Sequence, residues 1–359
     1  MKIGIITVHD SNNYGSFLQA YALQAVCQDM GHEVYFVRTR AKEFVKSTFI
    51  PEISLRELFR HPKSTLKNYR NGLLKWKAFL SDQKIFREIS SEELDQMDRI
   101  LLGSDEIWNV KVRSFQNPVF YGKGRTNVIA YAVSVGKADY DDLQSYPEFI
   151  RDIRKIPRIM VRDTRTQSVV EKICGFRPDI VCDPAFLIDG TLFRQKEIRK
   201  RRILDKYLLV YSYYISSRFQ EKIQEFARSN HLKVVSVCFY YAWADYNIMC
   251  GPMEFCSVIE NAEYVITTTF HGTIFSILNE KQFVTLPASI KTNDLLVRLN
   301  FKESIIDNDT DKEEIQELLQ ERVIDYERIN KEILNMRHKS LALLTDSIES
   351  TVNCHGKTL

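Results

Sequence analysis

The stretch Thr267-Thr268-Thr269-Phe270-His271-Gly272-Thr273 brings hydroxyls and an imidazole to the point where an apolar run passes into a helical pattern. Backbone N–H groups and the positive end of a helix make such a junction receptive to phosphate or carboxylate. Thr269, Gly272 and Thr273 are therefore candidate anion-binding positions. The imidazole of His271 can exchange a proton near neutral pH and is the candidate acid/base. A lone histidine after a strand also serves in packing, and the spacing leaves both roles open. Four other polar loops follow runs of strand length. His9-Asp10-Ser11-Asn12-Asn13-Tyr14-Gly15-Ser16 has no GxGxxG and no phosphate-loop lysine. It suits hydrogen bonding to a sugar or small anion, and equally a helix cap. The others are Gly103-Ser104-Asp105-Glu106-Ile107-Trp108-Asn109, Ser134-Val135-Gly136 and Arg162-Asp163. Gly103, Ser104 and Asp105 can bind a ligand or cap a helix, and Trp108-Asn109 can face a sugar or enter the core.

Other chemistries find little footing. The histidines (His9, His32, His61, His231, His271, His338 and His355) are scattered singly, and no CxxC occurs, so no metal is expected. Cys182-Asp183-Pro184 shows neither a neighbouring base nor an anion cradle, so Cys182 is expected to pack rather than attack. The 7 cysteines, including Cys354, read as free thiols of a reducing compartment.

An alternation of strands and helices positions these loops. Strands are expected at Ile3 to Val8, Val34 to Val37, Ile100 to Leu102, Asn127 to Val133 and Ile159 to Val161. A second series covers Tyr207 to Tyr211, Lys233 to Cys238, Tyr264 to Thr268 and Phe283 to Leu286, with helices between. Such alternation predicts doubly wound α/β domains, whose ligands sit beyond the carboxyl ends of the strands. With 359 residues the chain exceeds a single core. We expect an N-terminal domain over 1–193 with a basic helical insertion near 56–90, a second domain over 206–305, and a helical tail over 306–359. The basic run Arg194 to Arg202 reads as the linker.

A hydrophobic content of 44% with 27% charge excludes wholesale disorder, collagen-like repeats and a disulfide scaffold. A net charge of +3 gives no support to a nucleic-acid partner. Charge gathers locally instead: Arg56 to Arg87 holds nine Lys/Arg and two acids among Leu, Phe, Tyr and Trp76. That segment is either a solvated helical face or a docking surface for anionic lipid or a polyprenyl-phosphate acceptor. The opening Met1-Lys2-Ile3-Gly4-Ile5-Ile6 is too short for a signal peptide, and no run approaches the roughly 18 apolar residues of a membrane span. The expected location is the cytoplasm, at the inner face of the membrane where the basic segment touches it.

In combination these segments resemble the polysaccharide pyruvyl transferase family. The residues that carry the likeness are Asn13-Tyr14-Gly15-Ser16 with Leu18 to Gln24, Gly103 to Asn109, Tyr131 to Gly136, Val161-Arg162-Asp163, Cys182-Asp183-Pro184 and Phe270 to Ser276. The resemblance implies two Rossmann-like domains in a glycosyltransferase-B-like (GT-B) arrangement with the site in the cleft between them. It implies a transferase that places pyruvate from phosphoenolpyruvate as a ketal on a glycan or lipid-linked saccharide, with phosphoenolpyruvate as co-substrate and no other cofactor. By resemblance His271 is the acid/base, Arg162 binds the anion and Lys291 is a second cation. Asn13, Tyr14, Gly15, Ser16, Gly103, Ser104, Asp105, Trp108, Asn109 and Ser134 line the acceptor side. Family members with a mapped donor pocket carry an arginine two positions before this histidine, where this chain has Thr269. Either Lys291, Arg298 or Arg165 supplies the missing charge, or the donor differs. The alternatives are a GT-B glycosyltransferase using a nucleotide sugar and a glycan-binding protein without turnover.

Overall fold

The computed structural model describes residues 1–190, 193, 205–286 and 290–350. The run Arg194 to Arg202 and Cys354 lie outside them. Two wholly parallel sheets carry the chain. The first comprises β1 (Lys2–Ile6), β2 (Glu33–Val37), β3 (Glu88–Ile89), β4 (Arg99–Leu102), β5 (Val128–Val133), β6 (Arg158–Val161) and β7 (Asp179–Ile180), in spatial order β3-β2-β1-β4-β5-β6-β7. The second comprises β8 (Tyr207–Tyr211), β9 (Lys233–Val237), β10 (Tyr246–Ile248), β11 (Tyr264–Thr267) and β12 (Gln282–Thr285), in order β10-β9-β8-β11-β12. Central strands such as β5, with all residues buried, are apolar on both faces because helices cover both sides of a parallel sheet. In each sheet the order reverses beside the first strand, between β1 and β4 and between β8 and β11. Loops diverge at such points and leave a crevice.

Helix α1 (Tyr14–Asp29) is buried nearly all round rather than along one stripe. A helix of that kind lies between layers. It covers its own sheet and meets helices of the second domain, so Tyr14 and Phe17 share one hydrophobic cluster with Tyr211, Phe255 and Phe275. The insertion after β2 is larger than the basic segment: α2 (Lys42–Phe49), α3 (Leu55–Arg60) and α4 (Pro62–Gln83). The first domain continues through α5 (Tyr140–Gln144), α6 (Pro147–Ile153) and α7 (Thr164–Cys174). The second uses α8 (Ser217–Ser229), α9 (Pro252–Glu260), α10 (Phe270–Leu278) and α11 (Ile290–Arg298), and is followed by α12 (Lys312–Gln316) and α13 (Tyr326–Glu349).

Helix α13 returns to the first domain. Arg337 donates to the carbonyls of Phe186 and Ile188 at 2.7 and 2.9 Å, and the Ser340 hydroxyl accepts from the Cys182 amide at 3.0 Å. Among the described residues no helix is long and apolar enough to cross a membrane, and the described cysteines are unpaired thiols.

Candidate active site

Strand β11 ends at Thr267, and Thr269 caps α10 by accepting from the Gly272 amide at 2.9 Å. The Thr267 hydroxyl donates to the Tyr211 carbonyl at 2.7 Å, and Thr273 donates back to the Thr269 carbonyl at 3.2 Å. Thr273 and the Gly272 amide, read as anion-binding groups, are thus occupied in building the helix start. Only Thr269 of the three also faces the cavity described below. The first-turn amides of Phe270 and His271 remain at the helix mouth.

His271 is 3% exposed, and its ring lies between residues of the first domain. Its Nε2 is 3.5 Å from Asp183 Oδ2 and has no hydrogen-bond partner. Its other edge rests on Gly15, where an added Cβ would lie 2.0 Å from the ring Cγ. Gly15 is therefore the seat of the imidazole.

Asp183 lies just beyond β7. It accepts from Arg162 Nη1 at 2.8 Å and from the Ala185 amide at 3.0 Å. Burial alone would raise its pKa; the positive fields of His271 and then Arg162, with the hydrogen bond from the Ala185 amide, hold it well below the usual carboxylate range. Arg162 also donates to Ser104 Oγ at 3.3 Å, while its Nη2 stands 3.8 Å from Asp105 Oδ1. The guanidinium carbon sits 4.9 Å from the centroid of the Phe270 ring. Arg162 Nε and Nη2 are buried without hydrogen-bond partners. That edge has the fork geometry that matches a carboxylate or phosphate. Asp105 accepts from Ser16 Oγ at 2.6 Å, and its pKa is lowered because Lys291, Arg162 and His271 together outweigh its burial. Glu106 holds Lys291 at 2.7 Å, and Ser134 donates to Asp163 at 2.6 Å.

A cavity of about 900 Å³ opens between the domains. Asn13, Ser16, Asp105 and Ser134 line it from the first domain; Tyr213, Thr269, His271 and Lys291 line it from the second side. Gly15 reaches it only through His271. Five candidates stand elsewhere. Trp108 is fully buried, stacked on Tyr121 and donating to the Phe120 carbonyl at 2.8 Å, so it belongs to the core. Tyr14 is equally buried and donates to the Cys250 carbonyl across the domain junction. Asn109 bonds Glu106, Ser104 is wholly buried under Arg162, and Gly103 lies against the Tyr131 carbonyl.

Two of the expected cations are also placed differently. Lys291 reaches the cavity already paired with Glu106. Arg162 borders an adjoining cavity of about 730 Å³, which also holds Arg298 and shares Asp163, Phe270 and Lys291 with the first. In the main cavity, Arg165 and Lys137 have no ion pair among the described residues, and they are the basic groups left to meet an anion. Asp183 is not among the expected site residues, since in Cys182-Asp183-Pro184 the thiol is the more conspicuous group. An acid directly beyond an apolar run was the available signal.

The fold is similar to that of UDP-GlcNAc 2-epimerase from Neisseria meningitidis, at 10% identity over 97% of this chain and 99% of that chain, with a TM-score of 0.54. A putative UDP-N-acetylglucosamine 2-epimerase from Listeria monocytogenes matches at 12% identity over 98% and 97%, also at 0.54. Trehalose-6-phosphate synthase matches at 7% identity over 98% and 100%, with 0.52. At such identities the likeness shows the fold alone: two Rossmann-like domains in the GT-B arrangement. Among curated proteins none matches the sequence. The sequence pattern of the family described as polysaccharide pyruvyl transferase matches residues 13–289, well over half of the chain and spanning Gly15, Arg162, Asp183 and His271. The chain belongs to the polysaccharide pyruvyl transferase family and is a transferase.

Proposed function

We propose that the protein moves the pyruvyl group of phosphoenolpyruvate onto two hydroxyls of one sugar, in a surface polysaccharide or its lipid-linked precursor. The observation that carries this reading is the buried Arg162 edge without hydrogen-bond partners, beside the His271–Asp183 pair at an interdomain cleft. A small dianionic acid needs such a fork for its carboxylate and a proton donor next to it.

In this reading the Arg162 edge takes the donor carboxylate, and Arg165 with Lys137 faces the phosphate. Imidazolium His271 gives its proton to the methylene carbon, which becomes the methyl group. The positive centre left at C2 is met by the first sugar hydroxyl. Asp183, kept ionised, stabilises the charged ring before transfer and holds its orientation. The first hydroxyl's proton restores His271. The second hydroxyl then attacks C2, the bond to the phosphate oxygen breaks, and the second proton leaves with phosphate. Atoms and charge balance with no further cofactor.

The test is mass spectrometry of acceptor mixtures incubated with phosphoenolpyruvate, together with phosphate release. We expect the mass increment of a pyruvate ketal, phosphate release only when an acceptor is present, and loss of both in His271→Ala. Full turnover by His271→Ala would overturn the role of the ring. Thermal stabilisation by UDP- or GDP-sugars and none by phosphoenolpyruvate would replace the reading with glycosyl transfer. Saturable glycan binding without turnover of any donor would replace it with a binding protein.

A further inference from the structure

Helix α4 has two faces of different kinds. The inner one is fully engaged. Phe79 packs on Phe17 and Phe49 with ring centroids 5.9 and 4.6 Å apart. Lys75 Nζ, buried, donates to the Asn12 carbonyl at 2.9 Å and to Cys238 Sγ at 2.7 Å. Asp82, the one acid of α4, turns inward and accepts from the Met253 amide at 3.0 Å. These contacts fix α4 to both domains.

The outer face is regular and bare. Leu66, Leu73 and Leu80 recur seven residues apart and are all exposed. Lys63, Arg70, Lys77 and Lys84 recur at the same interval, also exposed, so leucines and cations interleave along one ridge. Leu74 widens the ridge, and α3 extends it with Phe59, 84% exposed, and Leu55, 72% exposed, beside Arg56 and Arg60. Burying leucines is favourable only against an apolar layer, and the cations require negative charge at the rim of that layer. A second copy of this ridge would set like charges against each other. An anionic bilayer supplies both parts, with acyl chains for Leu and Phe and phosphates for Lys and Arg.

We propose that the outer face of α3 and α4 is a docking surface for the anionic leaflet of a lipid bilayer. Bound there, the insertion that it anchors would hold the interdomain cavity near the membrane plane. For a lipid-linked acceptor, a consequence that rests on the proposed function, the sugar would then be presented without leaving the bilayer.

The test uses the full chain, co-sedimented with vesicles of phosphatidylcholine alone or with an equal share of phosphatidylglycerol. We expect partition onto the anionic vesicles only, falling as salt rises, since exposed charges are screened within about 8–10 Å. Lys63→Glu/Arg70→Glu/Lys77→Glu should lower partition at least ~10-fold. Leu66→Ser/Leu73→Ser should also lower it, and both variants should keep the wild-type melting temperature because the replaced side chains face solvent. No partition by the wild type, or undiminished partition by either variant, overturns the proposal. So does a dimer dissolved by the leucine substitutions, or tighter binding to soluble poly-glutamate than to the vesicles, which would assign the face to a second copy or an acidic protein. The measurement needs neither donor nor acceptor, so it stands or falls apart from turnover of phosphoenolpyruvate.

Discussion

His271 can occupy its place only because residue 15 has no side chain. A methyl group at Gly15 would meet the ring Cγ at 2.0 Å, and Gly15 sits in the first turn of a buried helix that has little freedom to retreat. Gly15→Ala should therefore displace the imidazole, destabilise the fold by about 1–3 kcal/mol and abolish turnover. Melting temperature and phosphate release check this; wild-type turnover in Gly15→Ala would contradict the seat. The position of the histidine, in the first turn of a helix after a strand, was legible in the sequence, since that junction is a local pattern. Its partners were not. Asp183 and Gly15 reach it from other elements, and no spacing in one dimension encodes that meeting. Local chemistry also misled at Trp108 and Tyr14, whose polar tips find carbonyl partners inside the core and leave their rings free to be buried.

Elements long enough to show a period were readable, and those of two or three residues were not. β3, β7 and β10 are edge or near-edge strands of that length, and none was anticipated. β3 is secured by side chains as well as by its short ladder with β2: Glu88 accepts from His9 at 3.1 Å and pairs with Arg38 at 2.9 Å. The hydrogen bond to His9, with that to Arg38, carries the Glu88 carboxyl down to about 2 against the opposing effect of burial. A carboxyl depressed in the folded state stabilises above its unfolded pKa, about 4.3, and that contribution is lost as pH falls through the folded value. Glu88→Gln should accordingly melt lower than wild type at pH 7, with the gap closing between roughly pH 4.3 and about 2. Thermal melts across that range check it; a gap independent of pH would remove the carboxylate from the account. The cap at Thr269 belongs to the same scale. By resemblance an arginine stands here, but in this chain the hydroxyl closes the first turn of α10, and the cavity-facing basic groups without an ion pair among the described residues are Arg165 and Lys137.

The alternation of strands and helices announced two α/β halves, but not how firmly they are joined. One hydrophobic cluster takes in Phe17 of α1, Tyr131 of the first sheet, Tyr211 of the second and Ile333 of α13. Halves that share a core are expected to melt together, so calorimetry should show a single transition, and two resolved transitions would refute the shared core. In the charged last fifty residues the available signal is the apolar stripe Ile329, Ile333, Met336, Leu344 and Ile348, which enters this cluster, whereas Arg337 and Ser340 add polar contacts to backbone far away in sequence that no local pattern shows. Helix α1 sits inside both halves at once. Recombination between relatives, cut at the boundary between the sheets to exchange donor preference, would leave the incoming half facing a foreign helix. A viable graft has to carry the segment from Asn13 to Asp29 along with the half it serves.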